Sequence, residues 1–125
     1  MRDIKFRAWD KKKSVMDNWL EVQEMIAIHY AFHNDDYVLM QYTGLKDKNG
    51  VEIYEGDIAN ITLGLIEKGG YTERGVMKWN EKKAQFGFEC KDSLFNHALE
   101  SPDFKIEIIG NIHENPELIS KAEGK

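Results

Sequence analysis

Leu39-Met40-Gln41-Tyr42-Thr43-Gly44-Leu45-Lys46-Asp47-Lys48-Asn49-Gly50-Val51-Glu52-Ile53-Tyr54-Glu55-Gly56-Asp57-Ile58 decides how this chain folds. The run to Thr43 predicts a strand. Asn49-Gly50 predicts a tight type I′ turn, because both residue types tolerate positive φ. A short strand follows, then a second turn at Glu55-Gly56-Asp57, where Asp57 can accept backbone N–H bonds. A new strand starts at Gly56-Asp57. The stretch is a structural signature: it holds no nucleophile, no base oriented by a partner and no metal cluster.

Upstream, Ile4-Lys5-Phe6-Arg7-Ala8-Trp9 alternates with a period of two. That predicts a strand with Ile4, Phe6 and Ala8 on one face and Lys5, Arg7 and Trp9 on the other. Asp10 to Ser14 is a polar turn, and Val15-Met16 returns as a short strand. Even-numbered positions of Leu20 to Phe32 are apolar except Glu24, so a strand is expected from about Met25 to Phe32. A helical turn near Leu20 to Glu24 is the alternative. His33 to Asp36 is a turn cluster before the Tyr37–Thr43 strand.

Downstream, Ile58 to Thr62 is a strand and Leu63 to Thr72 a glycine-bearing loop. Gly75 to Trp79 and Ala84 to Cys90 pair as a hairpin around Asn80-Glu81-Lys82-Lys83. Ala84, Phe86, Phe88 and Cys90 share the expected core face, and Gly87 lies opposite, where a close approach is expected. Ser93 to Leu99 reads as a short helix stopped by Pro102. Phe104 to Ile109 is the last long strand. Asn115-Pro116 starts a terminal helix, with Asn115 as cap and Pro116 first in the helix. The sum is a mainly β fold with short helices, built around Ile58, Val76, Phe86 and Ile108. Its organisation is a single compact unit over 1–118. Residues 1–50 form an N-terminal β lobe with its connecting hairpin, 51–118 a small barrel, and 119–125 a frayed tail.

The composition suits a folded protein with a wet surface: 42% hydrophobic and 31% charged residues. One cysteine, Cys90, excludes an internal disulfide and a cysteine-based zinc site. A bacterial cytoplasm is the expected setting, since Met1 to Phe6 lacks the apolar run of a signal peptide and no segment reaches membrane-spanning length. The net charge of −5 disfavours non-specific nucleic-acid affinity. Lys11-Lys12-Lys13 reads as a solvated hairpin tip.

No catalytic residue, metal ligand set or cofactor motif emerges. His29 and His33 have helical spacing on an expected strand, and His97 and His113 are isolated. Asp47-Lys48-Asn49-Gly50 lacks the flanking acids of a calcium loop. Glu52, Glu55 and Asp57 could pair as acid and base, but the turn already employs Asp57. Gly69-Gly70 is not a phosphate loop. Aromatic residues carry the better lead. Trp9 with Lys5 and Arg7 forms a mixed face of ring and cation, the candidate binding surface, joined by Tyr71 and Arg74 if they gather there. Coverage of Trp9 by a second layer of the same chain is the alternative that average burial favours.

Four blocks resemble the YopX family: Ile4 to Asp10, Leu39 to Gly50, Ile53 to Ile58, and Ile109-Gly110-Asn111-Ile112-His113-Glu114-Asn115-Pro116-Glu117-Leu118. They stand in the family's order and span nearly the whole chain. The resemblance implies an origin in phages and prophages of Gram-positive bacteria and an SH3-like barrel in the C-terminal two-thirds. The family it resembles has no established biochemical activity, so the resemblance leaves function open. Gly56-Asp57-Ile58 would open the barrel, Val76 to Trp79 and Ala84 to Glu89 would form its hairpin, and Ile106 to Ile112 would close it. The family commonly carries an aromatic residue where this chain has His113, which argues against a catalytic base there. The expected function is a binding module that takes a protein partner or a second copy of itself. Nucleic-acid binding in phage replication or gene control is the rival reading.

Overall fold

The structure, a computed structural model, describes residues 3–25, 35–64, 69–90, 94–95 and 104–122. The architecture is mainly β, with two antiparallel sheets, one half-barrel and few helices. The first sheet contains β1 (Phe6–Asp10), β2 (Val15–Asp17), β3 (Tyr37–Lys46) and β4 (Glu52–Tyr54), in the order β2-β1-β3-β4. The second contains β5 (Asp57–Leu63), β6 (Tyr71–Asn80), β7 (Gln85–Cys90), β8 (Leu94–Phe95) and β9 (Phe104–Asn111), in the order β8-β7-β6-β5-β9. Helix α1 (Trp19–Met25) leaves β2, and α2 (Pro116–Ala122) follows β9.

Each expected hairpin forms, and side-chain oxygens hold the turns. At the β1–β2 turn, Asp10 Oδ1 accepts the N–H groups of Lys12 (3.0 Å) and Lys13 (3.1 Å), leaving the three lysines exposed at the tip. The Asp47–Gly50 turn differs from the expected type I′ form. Of Asn49 and Gly50, only Gly50 has positive φ (+83°). Gly50 N–H donates to the Asp47 carbonyl (3.0 Å) and Asp47 N–H to the Val51 carbonyl (2.8 Å). This is a three-residue loop closed by a left-handed glycine. The Asp47 carboxylate selects it, because Oδ1 accepts the N–H groups of Asn49 (2.8 Å) and Val51 (2.9 Å).

The helical alternative holds for Trp19–Met25, and a capping box explains it. Asn18 Oδ1 accepts the Glu21 N–H at 2.8 Å, and Glu21 Oε1 accepts the Asn18 N–H at 2.8 Å. Val22 is fully buried and Trp19 lies against Phe6, with ring centroids 6.1 Å apart. The strand expected over 25–32 falls outside the described residues, except at Met25, which ends α1. Leu94–Phe95 is a strand and not part of a helix. It pairs with β7 through Phe88↔Phe95 and Glu89↔Leu94, so the unpaired edge of β7 overrides local helix preference. The rest of the expected 93–99 helix lies outside the described residues. Helix α2 includes residues 119–122, which the sequence reading assigns to the tail.

The core lies between β4 and the five-stranded sheet. Ile53 joins Ala59, Ile61, Met77, Phe88 and Cys90, with Phe86, Ile106 and Ile108 packed against them. Burying Phe88 completely contributes roughly 1.5–3 kcal/mol. The expected quartet splits. Ile58 pairs with Val76, and alternation places both on the sheet face opposite Ala59, Ile61 and Met77. Ala84 leaves the expected core row; it is an exposed turn residue at φ +51°.

Gly75 makes the tightest approach on the core side. A Cβ there would lie 2.9 Å from Cys90 Sγ, 3.1 Å from Ile61 Cδ1 and 3.2 Å from Phe88 Cβ. Gly75→Ala is expected to cost about 1–3 kcal/mol by overpacking, read as a lower urea midpoint with unchanged slope.

Candidate interaction surface

Lys5, Arg7 and Trp9 do share one face at the start of the chain, as the alternation predicts. The tertiary fold covers that face: Arg7 and Trp9 meet the second sheet and its turns, while Lys5 meets Glu52 of β4 and Tyr42 of β3 within its own sheet. Arg7 is the centre. Its Nη2 donates to Asp57 Oδ1 at 2.7 Å and to the Glu55 carbonyl at 3.1 Å, and its guanidinium lies 4.9 Å from the Tyr54 ring centroid. The ion pair is enclosed, with side-chain exposures of 13% for Arg7 and 3% for Asp57. Burial raises the Asp57 carboxyl above its ordinary range, while Arg7 and the Tyr54 N–H (2.8 Å) pull it back.

Lys5 repeats this arrangement one step along the strand. Its Nζ donates to Glu52 Oε2 and sits 5.0 Å from the Tyr42 ring centroid. The hydrogen bond to Glu52 raises the Lys5 pKa. Tyr42 and Tyr54 face each other across β3 and β4, 5.4 Å apart, and burial raises both phenols. Trp9 is half-buried and stacks on His113, with centroids 5.3 Å apart and planes 15° from parallel. A second layer of the same chain therefore covers Trp9. Burial lowers the His113 pKa, assisted by the charges of Arg7 and Lys11.

Gly56 sits beside this seam. Its φ is +85°, its N–H donates to the Met77 carbonyl (2.9 Å), and its carbonyl accepts the Ile112 N–H (2.9 Å). A Cβ would meet Met40 Sδ at 3.1 Å. Only glycine satisfies the backbone sign and the contact together.

Arg74 stands elsewhere. Its Nη1 donates to the Leu118 carbonyl of α2 at 3.1 Å. Tyr71 is the first residue of β6, at the far end of the β5 pairing from Ile58. Among the other sequence candidates, Asn115 holds the end of β9: its Oδ1 accepts the Asn111 N–H at 3.1 Å, and Pro116 opens α2. His29, His33 and His97 lie outside the described residues. Among the described residues no group of three or more His, Cys, Asp or Glu side chains could hold a metal ion. Cys90 is buried, which pushes its thiol up to about 12. Native Cys90 is expected to resist iodoacetamide at pH 8 and to react once urea unfolds the chain, because only the thiolate attacks.

Sequence reasoning missed Glu52 and His113 as partners of this face, and it read Asp57 as a turn acceptor or an acid–base partner of Glu52 and Glu55, not as the partner of Arg7. Arg7 and Asp57 are 50 positions apart, so spacing carries no signal for the pair. Alternating cations and rings on β1, with acids and tyrosines around Glu55-Gly56-Asp57, were the only hint.

The exposed surface has a different character. Trp79 is 46% exposed and meets Phe86 edge-on, with centroids 4.9 Å apart. Leu20, Val51, Ile4, Val15 and Leu45 are also exposed.

These features define a small two-sheet β protein whose sheets are joined by a buried ion pair. The chain belongs to the YopX family: the family described as YopX protein matches residues 5–120, nearly its whole length. Its fold is similar to that of a crystal structure described as protein EF1440 from Enterococcus faecalis, at 30% identity and a TM-score of 0.61. That match covers 95% of this chain and 99% of the other. Among curated proteins, none matches. No helix among the described residues is long and apolar enough to cross a membrane.

Proposed function

We propose that this YopX-family chain is a phage- or prophage-derived module of the host cytoplasm. It works without catalysis, by binding a protein partner or a second copy of itself. In this reading residues 51–118 act as an SH3-like barrel that presents the surface. The observation that carries the reading is Trp79, a large ring left 46% exposed beside Phe86. Exposed aromatic anchors are enriched at binding hot spots. Cation placement supports the same choice over nucleic acid. Lys5 and Arg7 are engaged by Glu52 and Asp57, and Arg74 by the Leu118 carbonyl, while the net charge is −5.

Light scattering after size exclusion, together with affinity capture from lysogenic cells under nuclease treatment, tests the reading. The expected result is a self-associated species or a nuclease-resistant captured protein, either one lost in Trp79→Ala. A strict monomer whose only captured partner is nuclease-sensitive would overturn it.

A further inference from the structure

The Trp9–His113 stack joins the start of the chain to its end. Trp9 lies on β1, and His113 lies in the turn between β9 and α2. That turn is tightly built. Asn111 Oδ1 accepts the N–H groups of His113 (3.0 Å) and Glu114 (2.9 Å), and Ile112 N–H reaches the Gly56 carbonyl. Asn115 N–H donates to the Asn111 carbonyl at 2.9 Å and leads directly into α2. The imidazole is held in position by this frame, so a change in its charge acts on the frame.

His113 Nε2 is buried and has no hydrogen-bond partner among the described residues. The charged groups facing it are unbalanced. Arg7 approaches from β1, Lys11 from the turn after β1, and Glu114 from its own turn. Asp57, the acid contributed by β5, is already engaged by Arg7 at 2.7 Å, and Glu114 Oε1 accepts a bond from Asn111 Nδ2 at 2.7 Å. A proton added to the ring therefore joins two cations and points a buried N–H at no acceptor. Stacking of an imidazolium on Trp9 works in the opposite direction. Desolvation and the two cations outweigh Glu114, so the net effect favours the neutral ring.

We propose that the Trp9–His113 contact is a pH-operated latch: protonation of His113 in mildly acidic conditions releases the 112–115 turn from β1 and loosens α2, which follows directly from that turn, while the core sheet stays folded. Because the folded state favours neutral His113, the contact is fully present above the pKa of an unfolded histidine, about 6.5. It is lost as pH falls below that through the lower folded value. Loosening of α2 also frees Arg74, whose Nη1 is held by the Leu118 carbonyl. The latch thus couples pH to the availability of a cation on β6.

Hydrogen exchange resolved by residue, corrected for the intrinsic pH dependence, tests the latch on the full chain. The expected result is that protection of the Ile112, Asn115 and Leu118 amides falls several-fold from pH 7.5 to 5.5 relative to Ile61 in β5, up to the roughly tenfold that linkage to one proton allows, as a local opening would. His113→Gln, which cannot gain a proton, is expected to show no such fall. Equal pH dependence in wild type and His113→Gln, or none in wild type, overturns the proposal. Should His113→Gln fail to fold, the wild-type His113 Cε1–H NMR titration decides alone. A midpoint at or above about 6.5 rejects the latch, and a lower midpoint that coincides with loss of Ile112 protection sustains it.

Discussion

Arg7→Ala is expected to lower stability by about 3–5 kcal/mol, the usual consequence of removing one partner of a buried ion pair. The change leaves the Asp57 carboxylate, 2% exposed, with the Tyr54 N–H at 2.8 Å but no cation. It also removes the donor to the Glu55 carbonyl and the guanidinium beside Tyr54. The loss should be read as a shift of the urea midpoint with little change in slope. Its pH dependence has a defined sign. Without Arg7, burial is opposed chiefly by the Tyr54 N–H, so the folded-state pKa of Asp57 rises further. The folded variant then binds the proton more tightly than the unfolded chain, whose carboxyl titrates near 3.9. The penalty therefore shrinks as pH falls from 7.5 toward 4 and is largest at neutral pH. The double variant Arg7→Met with Asp57→Leu removes both charges and should recover part of the loss, since well-packed apolar pairs often replace buried ion pairs at little cost. A single variant as stable as wild type, or a double variant less stable than Arg7→Ala, would show that the pair does not hold the sheets together.

Asp47→Ala is expected to cost about 3 kcal/mol, from three backbone N–H groups that lose a charged acceptor. Two of those bonds, to Asn49 and Val51, shape the turn itself. The third crosses between sheets: Asp47 Oδ2 accepts the Ile108 N–H of β9 at 2.9 Å. Lys48 N–H donates to the Ile106 carbonyl at 2.9 Å, so the turn covers part of the open edge of β9. Asp47→Asn separates the two roles. An amide oxygen can keep the turn bonds, but its NH₂ group then faces the Ile108 N–H, so Asp47→Asn should lose an intermediate amount. Burial works to raise the Asp47 carboxyl, and the N–H groups of Ile108, Val51 and Asn49 outweigh it, so the net shift is downward. A depressed folded pKa means that the carboxylate's contribution is present above the unfolded value near 3.9 and is lost as pH falls through the folded value. Acid unfolding of Asp47→Asn should therefore lack the share of the wild-type loss that appears below pH 4. Indistinguishable acid profiles would assign the stabilisation to other carboxylates.

Strand positions and turns were legible because they depend on neighbours. The two-residue period of Ile4 to Trp9 and the Gly56-Asp57 turn are local facts, and both stand at the expected places. The capping residues Asn18 and Glu21 lie three positions apart, so the start of α1 was also available to the sequence, beneath the stronger two-residue pattern that runs on to Phe32. Leu94–Phe95 was not legible. Two residues carry no period, and their strand exists only because β7 offers an edge.

The candidate surface divides in the same way. Alternation placed Lys5, Arg7 and Trp9 together, and nothing local said whether water or protein would face them. The sequence by itself determined the family, the β class, where most turns fall and most of the residues sharing each strand face, because propensity and period act over a few neighbouring positions. Tertiary structure decided that Arg7 meets Asp57, that Trp9 meets His113 and that Trp79 stays outside. Those outcomes depend on how two sheets stack, and the free energy of stacking comes from surfaces that chain folding brings together across some fifty or a hundred positions.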